Sequence, residues 1–158
     1  MSVVGLVVIL DQVVKALVRP RLELHESITV ISGFFSLTRV HNTGAAFGLM
    51  NNIDFPLKAA VLALLQTAAL IGLTVYVAML APHQRLTRLG LSFVIGGAIG
   101  NLIDRVIYGY VLDFFDFYSG GWHSWAFNVA HPAINIGVAL MILDMLGAGR
   151  LYRVSRTI

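Results

Sequence analysis

Cysteine is missing from all 158 residues, which excludes disulfides, thiolate nucleophiles and cysteine-ligated metals together. Charge is scarce as well. Asp, Glu, Lys and Arg make up 12% of the chain against 58% hydrophobic residues, with a mean hydropathy of +0.82. A soluble globular domain carries about 25% charged residues, so this balance belongs to an integral membrane protein. Basic residues are not interleaved with aromatics, and the formal charge of +3 therefore points away from nucleic acid and toward the inner leaflet of a bilayer. Met1 to Leu10 is apolar but has no basic lead-in and no small-residue cleavage site, so it does not read as a removable signal. No internal repeat or low-complexity segment is visible.

Long uncharged runs are present in their place. Ala59 to Ala81 is a 23-residue run without a charge, ended by Pro82, and Leu89 to Ile103 is another uncharged run. At about 20 residues per spanning helix, the pattern predicts an all-α membrane protein with four spans at about 1–18, 57–81, 86–107 and 130–149. The first span is short, and Asp11, Gln12 and Lys15 in its second half mark an expected exit into the interface. Asp11 and Lys15, four apart, form a helix-face ion pair on this reading. Ser27 to Val40 is rich in β-branched and aromatic residues broken by Ser32-Gly33, which predicts a small hairpin outside the membrane within an outer β region of about 27–48. Gln66 and Thr67 are expected to hydrogen-bond between helices.

Short loops give the orientation. Pro82 to Arg88 is basic, as is the tail with Arg150, Arg153 and Arg156, which places both termini on the cytoplasmic side. A loop of about 108–127 falls outside. It has no Lys or Arg between Tyr108 and Trp125, and its Tyr108, Tyr110, Tyr118, Trp122 and Trp125 resemble an interfacial aromatic belt.

Ionisable residues gather at that outer edge: Asp104, Arg105, Asp113, Asp116, His123 and His131. Groups at such depth are expensive and usually functional. Two carboxylates in a poorly hydrated site would share a proton and could activate water for attack on an amide. Asp113, Asp116, His123 and His131 could instead ligate zinc, although their spacing fits no zinc motif. The plain alternative makes Asp104 and Arg105 a helix-end pair, Asp113 and Asp116 caps or solvated loop acids, and His131 a helix-start hydrogen bonder.

Five blocks in order then carry a resemblance: Asp11-Gln12-Val13-Val14-Lys15, Asn42-Thr43-Gly44-Ala45-Ala46-Phe47, Gly100-Asn101-Leu102-Ile103-Asp104-Arg105, Val111-Leu112-Asp113-Phe114 and Phe127-Asn128-Val129-Ala130. The chain resembles bacterial lipoprotein signal peptidase, signal peptidase II. The resemblance implies an inner-membrane aspartyl endopeptidase; a monomer is expected, with no metal or cofactor. It would act near the outer face on the signal peptides of diacylglyceryl-modified prolipoproteins, in contact with membrane lipid. It implies Asp113 as one catalytic aspartate. Asn42, Gly44, Asn101, Asp104, Arg105 and Asn128 would line or brace the site, with Asp104 and Arg105 paired. The family's second aspartate directly follows the Phe-Asn-Val-Ala block, and here that position is His131. A histidine cannot share a carboxyl proton with Asp113. It could act as base with Asp113 as its orienter, leaving no acid for the amide oxygen. The alternative is an impaired relative that binds lipidated signal peptides or lipopeptide inhibitors without cleaving them.

Overall fold

The computed structural model describes residues 2–44, 50, 53 and 55–147. In chain order it contains α1 (Ser2–Val18), β1 (Ser27–Ile31), β2 (Phe35–Asn42), α2 (Lys58–Met79), α3 (Arg85–Tyr108), β3 (Val111–Ser119), β4 (Trp122–His123) and α4 (Ala130–Met145). Four helices therefore appear close to where the apolar runs place them. Of these, α2 and α3 are long and apolar enough to cross a membrane, while α1 and α4 have 17 and 16 residues. Ala45 to Gly48, Met1 and the arginines of the tail lie outside the described residues.

Pro20 follows the end of α1, and Pro132 occupies the first turn of α4, where a missing N–H costs nothing. Gly109 ends α3 in the left-handed conformation, its N–H donating to the Arg105 carbonyl at 3.0 Å. The outer faces of the helices are apolar and uncovered. Leu64, Ile71 and Met79 on α2, Leu6 and Ile9 on α1 and Met145 on α4 are all more than half exposed. Water would not tolerate such a surface, whereas lipid tails solvate it.

The interior inverts the usual rule. Asp11, Lys15, Asp104 and Asn128 are fully buried beside Leu91, Leu112 and Phe114. Lys15 Nζ lies 2.8 Å from Asp11 Oδ2, 3.0 Å from Asp104 Oδ2 and 2.9 Å from Asn101 Oδ1, so α1 is fastened to α3 through charge. Asp11 and Lys15 thus form the expected pair, buried against α3. Small residues make the approach possible. A Cβ on Gly96 would strike Val7 of α1 at 2.8 Å, and one on Gly100 would strike the Asp11 carboxylate. On another face of α3, a Cβ on Gly97 would meet the Ala130 carbonyl of α4 at 2.7 Å.

The sheet is antiparallel with order β1-β2-β3-β4. The predicted hairpin is β1 and β2, but the outer loop of about 108–127 is mostly strand. Val111 to Ser119 pairs with β2, Gly120-Gly121 turns the chain at positive φ, and Phe127 bridges back to Phe115. Pairing across the sheet explains the difference: backbone groups that a loop would leave to water are bonded to β2, and Phe117 stacks on Phe35 and Phe127. Trp122 and Trp125 are largely exposed, whereas Tyr118 bonds to Ser36 and Tyr110 stacks on His41.

Candidate active site

Asp113 lies near the buried start of β3, cross-strand from Val40, and the next pair on that face sets Asn42 opposite Val111. This register lets the Asn42 amide donate to Asp113 Oδ2 at 3.0 Å. The other oxygen accepts from Asn128 Nδ2 at 2.7 Å. Asp113 is 1% exposed, and burial pushes its carboxyl up to about 7, against the Asn42 hydrogen bond and the charges of Lys15 and Arg105.

The helix α4 brings His131 to the same place. Its Nδ1 is 4.0 Å from Asp113 Oδ1 and 3.0 Å from Asn128 Oδ1. Asn128 is the hub. Its Nδ2 faces Asn101 Oδ1, the Leu112 carbonyl and Asp113, while its Oδ1 accepts the Ala130 N–H at 3.0 Å. Asp11 Oδ1 also accepts that N–H, so a carboxylate of α1 supports the N-terminus of α4.

Asp104 and Arg105 do not pair. Adjacent helical residues point about 100° apart, and the two serve different neighbours. Asp104 meets Lys15, Arg19 at 3.4 Å and the Leu112 N–H at 3.0 Å. Arg105 donates to Gln66 Oε1 at 2.9 Å and to the Gly44 carbonyl at 2.8 Å, while the Gly44 N–H donates to Asn42 Oδ1 at 3.0 Å. Asp104 and Asn101 therefore fasten α1, and Arg105 braces the chain that follows β2.

Asp116, three residues from Asp113, falls on the opposite face of the strand. Its Oδ1 lies 2.7 Å from Nε2 of the exposed His123. The four-residue zinc arrangement is thus not assembled, and among the described residues no three acidic or imidazole side chains converge.

Two hollows meet at His131. One, of about 440 Å³, lies between α2, α3 and α4 and is lined by Asn42, Gln66, Arg105, His131 and Asn135. The other, of about 430 Å³, is lined by Trp122, Trp125, Phe127, His131 and Asn135. Sequence reading missed Asn135, although its position one helical turn after His131 was available as a signal.

A buried carboxyl near neutrality, beside an imidazole that lines a hollow between apolar helices, has the parts of a hydrolytic site. The model of signal peptidase II matches residues 3–147. The chain belongs to the signal peptidase II family. It is 46% identical over 143 residues to the lipoprotein signal peptidase of Maridesulfovibrio salexigens, covering 90% of each chain. It is 45% identical over 138 residues to that of Geobacter metallireducens, covering 87% of this chain and 84% of the relative. Two bacterial membrane enzymes solved in meso share the fold. One has a TM-score of 0.80 at 31% identity over 91% of this chain and 85% of the other, and the second has 0.79 at 29% over 91% and 90%. Membership makes the chain an aspartic-type peptidase by family, with His131 standing where the signal peptidase II resemblance implies a second aspartate.

Proposed function

We propose that the chain is a lipoprotein signal peptidase that removes signal peptides from diacylglyceryl-modified prolipoproteins, with Asp113 and His131 as its catalytic pair. The observation that carries the reading is that His131 lines a hollow between the apolar helices while the buried Asp113 carboxyl lies 4.0 Å from its ring. Peptide hydrolysis needs one group to take a proton from water and one to give a proton to the carbonyl oxygen. A neutral imidazole can do the first, and a carboxyl that titrates near 7 can do the second. Asn42, Gly44, Asn101, Asp104, Arg105 and Asn128 brace that pair or line the hollow.

The whole chain acts as one membrane domain, a monomer with four spans. α1 and α4 complete the crossing with the help of flanking residues. The basic 83–88 loop lies in the cytoplasm with both termini, and the sheet with its exposed tryptophans lies at the outer face. Signal helices enter from lipid between α2, α3 and α4, where Leu62 and Leu65 line the way in.

The test is cleavage of a diacylglyceryl-modified prolipoprotein by the full chain in proteoliposomes. Cleavage that Asp113→Asn abolishes supports the reading. No cleavage by the native chain, with activity gained by His131→Asp, overturns it in favour of a relative that binds lipidated signal peptides without cutting them.

A further inference from the structure

We propose that Asn128 is a positioning residue that holds the His131 imidazole as its Nδ1–H tautomer, so that Nε2 is the base and Asp113 the acid. This rests on the peptidase reading above and assigns the roles within it.

The argument starts from the Asn128 amide, whose orientation is not free. Its Nδ2 side faces three acceptors: Asn101 Oδ1 at 3.0 Å, the Leu112 carbonyl at 3.1 Å and Asp113 Oδ1 at 2.7 Å. Its Oδ1 side faces the Ala130 N–H at 3.0 Å. Turning the amide over would set oxygen against three oxygens and NH2 against an N–H, at full burial, where an unmet polar group costs about 1–3 kcal/mol. The atom facing His131 Nδ1 at 3.0 Å is therefore a carbonyl oxygen, and only a protonated Nδ1 can bond to it. The Asn128 backbone N–H also points at Nδ1, at 3.4 Å, and would need a lone pair there. The shorter contact prevails.

The other ring nitrogen then carries the lone pair. Among the described residues Nε2 has no hydrogen-bond partner, and the ring lines both hollows. Asp113 cannot orient the ring, because its nearer oxygen is 4.0 Å from Nδ1 and is already held by Asn128. The carboxyl is thus released from the orienter's part, and the acid's part falls to it.

The proton count closes. Nε2 takes a proton from water as the oxygen attacks the scissile carbonyl carbon, and the Asp113 carboxyl gives its proton to the carbonyl oxygen, which leaves a gem-diol. The imidazolium then protonates the departing nitrogen, the C–N bond breaks, and a diol hydroxyl returns its proton to Asp113. Acid and amine leave, and the pair is as it began. The charged groups that face it are Lys15 on α1, Arg105 on α3 and Asp113 on β3, with Asp11 and Asp104 bonded to Lys15.

The test reads the ring directly. Full-length protein labelled with 15N-histidine in nanodiscs, with His131 assigned by difference from His131→Gln, is expected to show an unprotonated Nε2 and a protonated Nδ1 above the ring's titration. A protonated Nε2 overturns the proposal, whether or not the chain cleaves. Asn128→Ala removes the acceptor at Nδ1 and is expected to let Nε2–H appear in the 15N spectrum, with kcat lowered about tenfold or more and KM changed less. An Nδ1–H tautomer and a kcat both unchanged in a folded Asn128→Ala protein overturn the orienting role. Loss of cleavage by the native chain with the Nδ1–H tautomer intact would sink the peptidase reading alone.

Discussion

Lys15 and Asp104 form a fully buried ion pair, Nζ to Oδ2 at 3.0 Å, that joins the first helix to the third. Lys15→Met would leave the Asp11 and Asp104 carboxylates facing Gly100 and Leu112 without their shared cation. Removing one partner of a buried pair costs about 3–5 kcal/mol. The variant is expected to unfold at markedly lower temperature in detergent, and Lys15→Met combined with Asp104→Leu should recover part of the loss.

Glycine at 100 is a second point of close fit. Gly100→Ala would push its methyl into the Asp11 carboxylate and is expected to cost about 1–3 kcal/mol. Gly72 on α2 has nothing within 4 Å of a built Cβ, so Gly72→Ala should be neutral or stabilising by up to about 1 kcal/mol. Equal melting temperatures for the two variants would refute the packing of α1 on α3.

Asp113 makes stability fall with pH. Burial raises its carboxyl to about 7 in the fold, against 3.8 for an ordinary aspartate, so between those values the folded chain binds a proton that the unfolded chain has released. The contribution is fully present below about pH 4 and is lost as pH rises through about 7. Thermal melts in detergent should show this decline, and Asp113→Asn should flatten it. Cleavage should follow the same limb, with kcat falling above about pH 7 as the acid ionises.

Arg105 acts through its fork. One nitrogen holds Gln66 and the other the Gly44 carbonyl, which a single ammonium cannot reproduce. Arg105→Lys is expected to cost about 1–2 kcal/mol of stability and to lower kcat/KM about tenfold or more. Gln66→Ala should give a smaller loss of the same kind.

The sequence made much of this legible, and its failures have physical causes. Uncharged runs gave the helices because lipid demands them, and the expected 57–81 and 86–107 became Lys58–Met79 and Arg85–Tyr108. Aromatic bulk in the outer segment suggested a belt, and because Asp113 and Asp116 interrupt any apolar alternation over Val111–Ser119, nothing local marked a strand that its pairing with β2 holds in place. The helix-face rule found Asp11 and Lys15 but could not reveal Asn101 and Asp104, which come from α3. The same rule, applied to Asp104 and Arg105, would have separated them. Asp113 and His131 were singled out from their blocks, while the interposed Asn128 amide is a matter of three-dimensional placement that no spacing encodes.

The buried cluster also bears on how the helices come together. Asp11 and Lys15 neutralise each other within one helix, so α1 carries its two charges as a closed pair. Asp104 comes on α3 with Arg105 turned toward Gln66, and meets its counter-charges in Lys15 and Arg19 when the two helices dock. The third helix thus depends on the first for its neutrality, while the first does not depend on the third.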